Sequence, residues 1–114
     1  MLTKENRLIK QRDFERVFKQ GKYCKQDLVF LRVEKNNKDV SRFGFVVPKK
    51  VSKKAVVRNR IKRRMREIIR KRLSGIKKGV DVVLSAVPGL EQKSFDEMAT
   101  MIDIALEKLE IVSN

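Results

Sequence analysis

The chain has 114 residues and a mass of 13.4 kDa, so we expect one domain, residues 1–114. It contains no histidine and one cysteine, which excludes Ser-His-Asp triads, Cys-His dyads and zinc clusters. The 29 lysines and arginines exceed the 14 acidic residues and give a net charge of +15. No apolar run approaches the roughly 20 residues of a membrane span, and no hydrophobic signal core follows Met1. With the unpaired Cys24, these features predict a cytoplasmic protein that does not span a membrane, and no small-molecule substrate is expected.

The positive charge is concentrated in one block of the chain. Residues 49–78 contain 15 basic residues and a single acid, Glu67, whereas residues 79–114 contain 2 basic and 7 acidic residues. Like charges at this density repel one another, so a polyanion such as nucleic acid is the expected partner. A solvated tail and an anionic membrane surface are the alternatives. Apolar residues recur through the block at helical spacing, which favours a folded polyanion-binding surface.

The hydrophobic pattern predicts elements in the order α-β-β-α-β-α. We expect helices over 10–20 and 56–73 and from Ser94 to Val112, and strands over 28–33, 42–47 and 80–87, while a short strand near 22–26 stays open. Gly21 is expected to end the first helix as a left-handed cap, and Ser94 with Glu97 predicts a capping box. The economical packing is one sheet with helices on one face, a two-layer α+β domain.

The helix predicted over 56–73 carries the strongest functional signal. Its apolar residues form one stripe, and its opposite side presents Asn59, Arg63, Arg66 and Arg70. Residues 58–72 hold nine basic residues and one acid, so a plain solvent-facing helix with acidic partners is disfavoured. Guanidinium groups bind phosphate bidentately and stack on bases, which favours nucleic acid. Four lysines precede the helix and extend the basic surface: Lys49, Lys50, Lys53 and Lys54.

Strand alternation places Phe30 and Arg32 on the face opposite Val29, Leu31 and Val33. If that apolar trio packs under the helices, an aromatic and a cation line an open sheet, as in proteins that bind single-stranded RNA. A plain core role for Phe30 is the alternative that alternation alone leaves open. The same two roles stay open for the helical phenylalanines Phe14 and Phe18, whereas Phe43 and Phe45 are expected in the core.

The sequence around Asn59 resembles a known motif. Arg58-Asn59-Arg60-Ile61-Lys62-Arg63 followed by Arg66-Glu67 is similar to the arginine-rich motif of the bacterial ribonuclease P protein subunit. Residues 7–22 resemble the N-terminal signature of that family, residues 41–50 its central strand, and residues 79–84 the strand after its basic helix. The resemblance covers essentially the whole chain, in the order of the family.

The resemblance implies a fold and a function. The fold is an α-β sandwich with a left-handed β-α-β crossover. The function is that of a protein cofactor to a catalytic RNA, bound 1:1, which removes the 5′ leader from precursor tRNA. In this family the RNA subunit and its bound Mg²⁺ carry out hydrolysis. The protein binds the single-stranded leader and the RNA core, broadens the substrate range and lowers the Mg²⁺ requirement.

The resemblance, together with the residue patterns, gives two candidate sites and no catalytic residue. The expected contacts to the precursor tRNA leader are Phe14, Phe18, Phe30, Arg32, Lys49, Lys50 and Lys53. The expected contacts to the RNA subunit are Arg58, Asn59, Arg60, Lys62, Arg63, Arg66 and Arg70. No residue is expected to bind metal directly, although Asn59 can reach a metal-bound water. Two residues depart from the family pattern: Pro48 precedes the lysine pair, and Arg32 stands about where some members have a leader-stacking tyrosine.

Two other classes of function are weighed against this one. A structural RNA-binding protein, similar to a small ribosomal protein and without a role in cleavage, needs the arginine face but no exposed phenylalanines. A nuclease acting alone needs two or more carboxylates on a metal ion. Asp13, Glu15 and Glu67 are the acids near basic groups, and each is more simply a helix-cap or ion-pair residue.

Overall fold

The computed structural model describes residues 2–112, which form three α-helices and a four-stranded sheet. The elements in chain order are α1 (Gln11–Gln20), β1 (Lys22–Gln26), β2 (Val29–Lys35), β3 (Arg42–Val46), α2 (Ala55–Arg72), β4 (Val80–Ala86) and α3 (Phe95–Lys108). The α+β class is confirmed, and the segment left open near residue 22 is a strand. No helix in residues 2–112 is long and apolar enough to cross a membrane.

The strands lie in the order β1-β2-β4-β3. β3 and β4 are parallel neighbours joined through α2, which forms the expected β-α-β unit, and the other strand pairs are antiparallel. The N-terminal segment runs beside the outer edge of β3. There the backbone N–H of Leu8 donates to the carbonyl oxygen of Phe43 at 2.9 Å, and Arg7 pairs with Phe43 in parallel.

The main core lies between one face of the sheet and the helices α2 and α3. The apolar trio of β2 is buried there, as predicted, with Val29 and Leu31 completely inaccessible to solvent. The stripe of α2 is buried against the same face through Ile61, Met65, Ile68 and Ile69. Phe43 belongs to this core, and Phe45 packs against it half-buried.

Helix α1 packs on the opposite face of the sheet, so the expectation that all helices share one face is wrong. It buries Val17 beside Val83 in a second, smaller cluster. Successive residues of β4 point to opposite faces, and on the side of α1 both Asp81 and Val83 are completely buried, so this face is covered as well as the one that packs on α2 and α3. The Phe14 ring lies on Gly44, where a Cβ would come within 2.4 Å of the ring. Glycine at this position of β3 therefore allows α1 to approach the sheet.

Two helix ends differ from the sequence prediction. Gly21 has φ −74° and is not a left-handed cap; a Cβ there would lie 2.6 Å from the carbonyl oxygen of Val17, so the residue provides close approach instead. The capping box of α3 is present, but the helix ends at Lys108 and Glu110 adopts φ 58°. Val112 therefore lies outside the helix, where it pairs with Ile76.

An ion network joins α1 to the sheet; we call it the α1–sheet network, and its members are Asp13, Arg16, Glu34, Asn36, Arg42 and Asp81. The Asp81 carboxylate is fully buried and accepts hydrogen bonds from Arg42 Nε and Asn36 Nδ2, both at 2.9 Å, and from Arg16. Burial acts to raise the pKa of Asp81, but the hydrogen bonds from Arg42 and Asn36 and the charges of Arg42 and Arg16 hold it below its ordinary value. Asp13 pairs with Arg16 at 2.9 Å, in agreement with its expected ion-pair role.

Candidate nucleic-acid interface

The polar side of α2 forms one wall of a groove of about 670 Å³. Its lining residues are Arg7, Asn59, Arg63, Arg66 and Glu67. Of the seven expected contacts to an RNA subunit, five are exposed: Asn59, Arg60, Arg63, Arg66 and Arg70. The other two, Arg58 and Lys62, are half-buried. The helix therefore presents most of the predicted set on its outer surface.

The arginines of α2 differ in the hydrogen bonds that their guanidinium groups make with other protein groups. Arg58 Nη1 donates to the carbonyl oxygen of Ser52 at 2.9 Å and so holds the loop that leads into the helix. Arg70 forms a double hydrogen bond with Glu67, at 2.6 and 2.9 Å, which lowers the pKa of Glu67 to about 2. Within residues 2–112, Arg63 makes no side-chain hydrogen bond or ion pair. Its guanidinium group is therefore available to a phosphate.

Arg7 belongs to this groove, although charge patterning did not single it out. Its Nε donates to the carbonyl oxygen of Leu2 at 3.2 Å, and its backbone follows the β3 edge. Only the tertiary pairing of the N-terminal segment with β3 brings it opposite α2. The resemblance of Arg7-Leu8 to a family signature was the one available signal.

The groove does not form a metal site on its own. In residues 2–112 no group of three or more histidine, cysteine or carboxylate side chains is placed to hold a metal ion. Among the lining residues the carboxylate is that of Glu67, and both of its oxygens accept hydrogen bonds from Arg70. The Asn59 amide is exposed, so it is free to contact a metal-bound water held by a partner.

The face of the sheet beside α1 carries an open strip across all four strands. By strand register, Lys25, Phe30, Ser85 and Val46 lie side by side. None of the four is buried, because α1 covers the neighbouring rows and leaves this strip accessible. The exposed lysines Lys49, Lys50 and Lys53 follow β3 in the loop that leads to α2. The strip is thus bordered at its β3 end by positive charge.

Three aromatic rings surround one guanidinium group at the edge of this strip; we call Phe18, Tyr23, Phe30 and Arg32 the Arg32 cluster. The central carbon of the Arg32 guanidinium lies 4.6 Å from the ring centre of Phe30, 4.9 Å from Phe18 and 5.8 Å from Tyr23. Phe18 is 40% exposed and Tyr23 66% exposed. The prediction that Phe30 and Arg32 share the face away from the main core is confirmed.

The phenylalanines of α1 have different surroundings. Phe14 is half-buried against Gly44 and closes the base of the space between α1 and the sheet, whereas Phe18 reaches the surface. Tyr23 is not in the expected set, because the sequence pattern alone does not decide whether residues 22–26 form a strand. Alternation along β1 would have placed Tyr23 and Lys25 on the face of Arg32 and Phe30, their strand partners.

The chain is similar to known proteins along nearly its whole length. The family profile described as Ribonuclease P matches residues 2–110. The ribonuclease P protein component of a Pseudanabaena species is 34% identical over 113 residues, covering 98% of this chain and 97% of that protein. The corresponding protein of Clostridium acetobutylicum is 39% identical over 111 residues, covering 96% and 92%.

Solved structures show the same fold. The Staphylococcus aureus RNase P protein aligns with a TM-score of 0.87 at 26% identity, covering 95% of this chain and 98% of that one. The Thermotoga maritima RNase P protein aligns with a TM-score of 0.80 at 33% identity, covering 89% and 96%. The profile match over nearly the whole chain, the two relatives and the shared fold lead to one conclusion: the chain belongs to the ribonuclease P protein family.

Proposed function

We propose that this protein is the protein subunit of ribonuclease P and assists a catalytic RNA in removing the 5′ leader from precursor tRNA in the bacterial cytoplasm. The observation that carries the proposal is the presence of two separate surfaces suited to RNA. The arginine face of α2 lies on one side of the sheet, and the Arg32 cluster lies on the other. The loop of Lys49, Lys50 and Lys53 connects the two sides.

The α2 face is the proposed contact to the RNA subunit. Its residues are Arg58, Asn59, Arg60, Lys62, Arg63, Arg66 and Arg70, with Arg7 added from the structure. Arg60, Arg63 and Arg66 make no side-chain hydrogen bond within residues 2–112, so each offers a planar pair of donors to phosphate oxygens, and neutralised phosphates release counterions. Arg58 acts differently: its hydrogen bond to Ser52 orients the lysine loop against the helix.

The α1 side is the proposed contact to the leader. Phe18, Phe30 and Arg32 provide ring faces and a cation, and Lys49, Lys50 and Lys53 provide charges along a phosphate backbone. Phe14 supports the floor of this cleft through its contact with Gly44. Stacking on aromatic rings tolerates any base, which suits leaders of varied sequence.

Hydrolysis is assigned to the RNA subunit with its Mg²⁺. Bound Mg²⁺ would activate water and stabilise the leaving oxygen. The protein contributes cationic groups that reduce repulsion between leader and RNA phosphates, so that less Mg²⁺ is needed for the complex to form. Asn59 is the groove residue suited to hydrogen bond with a metal-bound water.

A cleavage assay on precursor tRNA tests the proposal. It compares the protein alone, a bacterial ribonuclease P RNA alone, and both together across a Mg²⁺ titration at moderate salt. We expect accurate cleavage at the mature 5′ end at low Mg²⁺ only when both are present. An unchanged RNA rate at every Mg²⁺ concentration would instead favour a structural RNA-binding protein, and cleavage by the protein alone would overturn the assignment of chemistry to RNA.

A further inference from the structure

Tyr23 is an exposed aromatic residue that the proposed leader cleft does not use. It lies on β1, the strand at the sheet edge farthest from β3, and is 66% exposed. Its ring stacks on Phe30 with centres 5.5 Å apart and planes 20° from parallel. Within residues 2–112 no side-chain hydrogen bond of the Tyr23 hydroxyl is formed. The outer face of a stacked aromatic pair is therefore presented to solvent at the β1 edge.

Arg32 is held in place by the rings around it. Phe18, Tyr23 and Phe30 contact its guanidinium group, and Nη1 lies 3.4 Å from the carbonyl oxygen of Phe18. Its Nε is buried and has no hydrogen-bond partner among the described residues. An arginine fixed in this way is already oriented when a phosphate arrives, because little side-chain freedom is lost on binding.

We propose that Tyr23 is a base-stacking residue for single-stranded RNA and extends the leader cleft to the β1 edge. The RNA leader passes from Phe18 over Arg32, which contacts one of its phosphates, and the next unpaired base stacks on Tyr23. This inference rests on the proposed function and adds to it a subsite and a direction for the leader. The exposed Lys25, two residues further along the same face of β1, provides a charge beside the departing backbone.

The subsite accepts an unpaired nucleotide without regard to its base. The exposed ring offers a π-face, which every base can cover, and the exposed residue that follows β1 is Asp27, which has no side-chain donor for a base edge when it is ionised. A structural role does not account for Tyr23, since two thirds of its surface is accessible and β1 has Cys24 on its core-facing side. The ring thus adds little to the core.

A fluorescence titration tests the contact directly, because Tyr23 is the sole tyrosine and the chain has no tryptophan. The Tyr23→Trp variant is excited at the red edge of indole absorption, where RNA does not absorb, and titrated with an unstructured oligouridylate. We expect quenching that saturates together with binding measured by the anisotropy of a labelled oligonucleotide. Saturated binding with unchanged indole emission would overturn the proposal.

A binding comparison tests the role in leader recognition. With the reconstituted holoenzyme, we expect Tyr23→Ala to weaken affinity for precursor tRNA about tenfold and to leave mature tRNA unaffected, while Tyr23→Phe retains wild-type affinity. Ile9→Ala is the matched control, since Ile9 is 65% exposed and lies outside the Arg32 cluster. Thermal melting verifies that each variant is folded.

The two proposals fail in different ways in this experiment. If the wild-type holoenzyme does not distinguish precursor from mature tRNA, the proposed leader contact is wrong, and the indole titration alone then decides whether Tyr23 binds RNA. If the wild type distinguishes them and Tyr23→Ala does so equally well, the proposed function stands and the Tyr23 subsite is wrong.

Discussion

Replacing Asp81 with asparagine tests the α1–sheet network. The carboxylate is completely inaccessible and faces the guanidinium groups of Arg16 and Arg42, whose side chains are 35% and 17% exposed. Removing one partner of a buried ion pair costs about 3 to 5 kcal/mol. Here both arginines keep partial access to water and keep Asp13 as a partner, so we expect the lower end, about 3 kcal/mol of unfolding free energy. That is a large share of the roughly 5 to 15 kcal/mol of a typical domain.

Urea unfolding of the RNA-free protein, followed by circular dichroism, measures this loss. We expect Asp81→Asn to lower the midpoint strongly with an unchanged slope, because the folded state is weakened and the exposed surface stays the same. Glu67→Gln is the control: it also removes one carboxylate from an arginine partner, but on the surface, where no measurable change in midpoint is expected. Equal midpoints for Asp81→Asn and the wild type would refute the reasoning.

Four further predictions concern acid stability, RNA binding and packing. The pKa of Asp81 is depressed in the fold, so ionised Asp81 stabilises the folded state above its unfolded pKa of about 4, and this stabilisation is lost as the pH falls through the folded value. Unfolding of the wild type at decreasing pH should show this loss of stability, and Asp81→Asn should show less of it. Arg63→Ala should weaken binding to the RNA subunit and reduce its salt dependence by about one phosphate contact, measured by affinity at several salt concentrations; an unchanged slope would contradict a phosphate role. Phe18→Ala should weaken precursor tRNA binding more than mature tRNA binding, and equal losses would place the ring in a structural role. Gly44→Ala should displace the Phe14 ring, lower the thermal midpoint and reduce leader affinity, and a wild-type melting curve would show that the ring adapts without cost.

Much of the fold follows from local patterns that the tertiary structure leaves intact. The apolar stripe of α2 predicts both its buried side and its cationic side, since helical spacing alone fixes which residues share a face. The alternation in β2 likewise separates Val29 and Leu31 from Phe30 and Arg32. Those two periodicities were sufficient to locate most of the candidate RNA-binding surface.

The remainder depends on contacts between distant parts of the chain. The amphipathic face of α1 can pack on either side of the sheet, so spacing could not choose between them. Asp81 within the apolar run of β4 was the unused signal, because a buried carboxylate needs cationic partners, here Arg16 of α1 and Arg42 of β3. Tyr23 was missed for a related reason: a five-residue edge strand with two lysines has little hydrophobic alternation of its own.

The N-terminal segment that runs along β3 covers the edge of the sheet and also contributes to the RNA-binding groove, so both roles depend on the same few residues. Leu2 is buried in the main core, Leu8 donates to β3, and Arg7 between them reaches the groove of α2. A protease that trims residues 2–8 would expose the backbone of β3 to intermolecular pairing and would remove one cation from the groove in the same cut. Preparations trimmed in this way would therefore show both aggregation and weakened RNA affinity. The intact mass of each variant should be measured before aggregation or weak binding is attributed to its substitution.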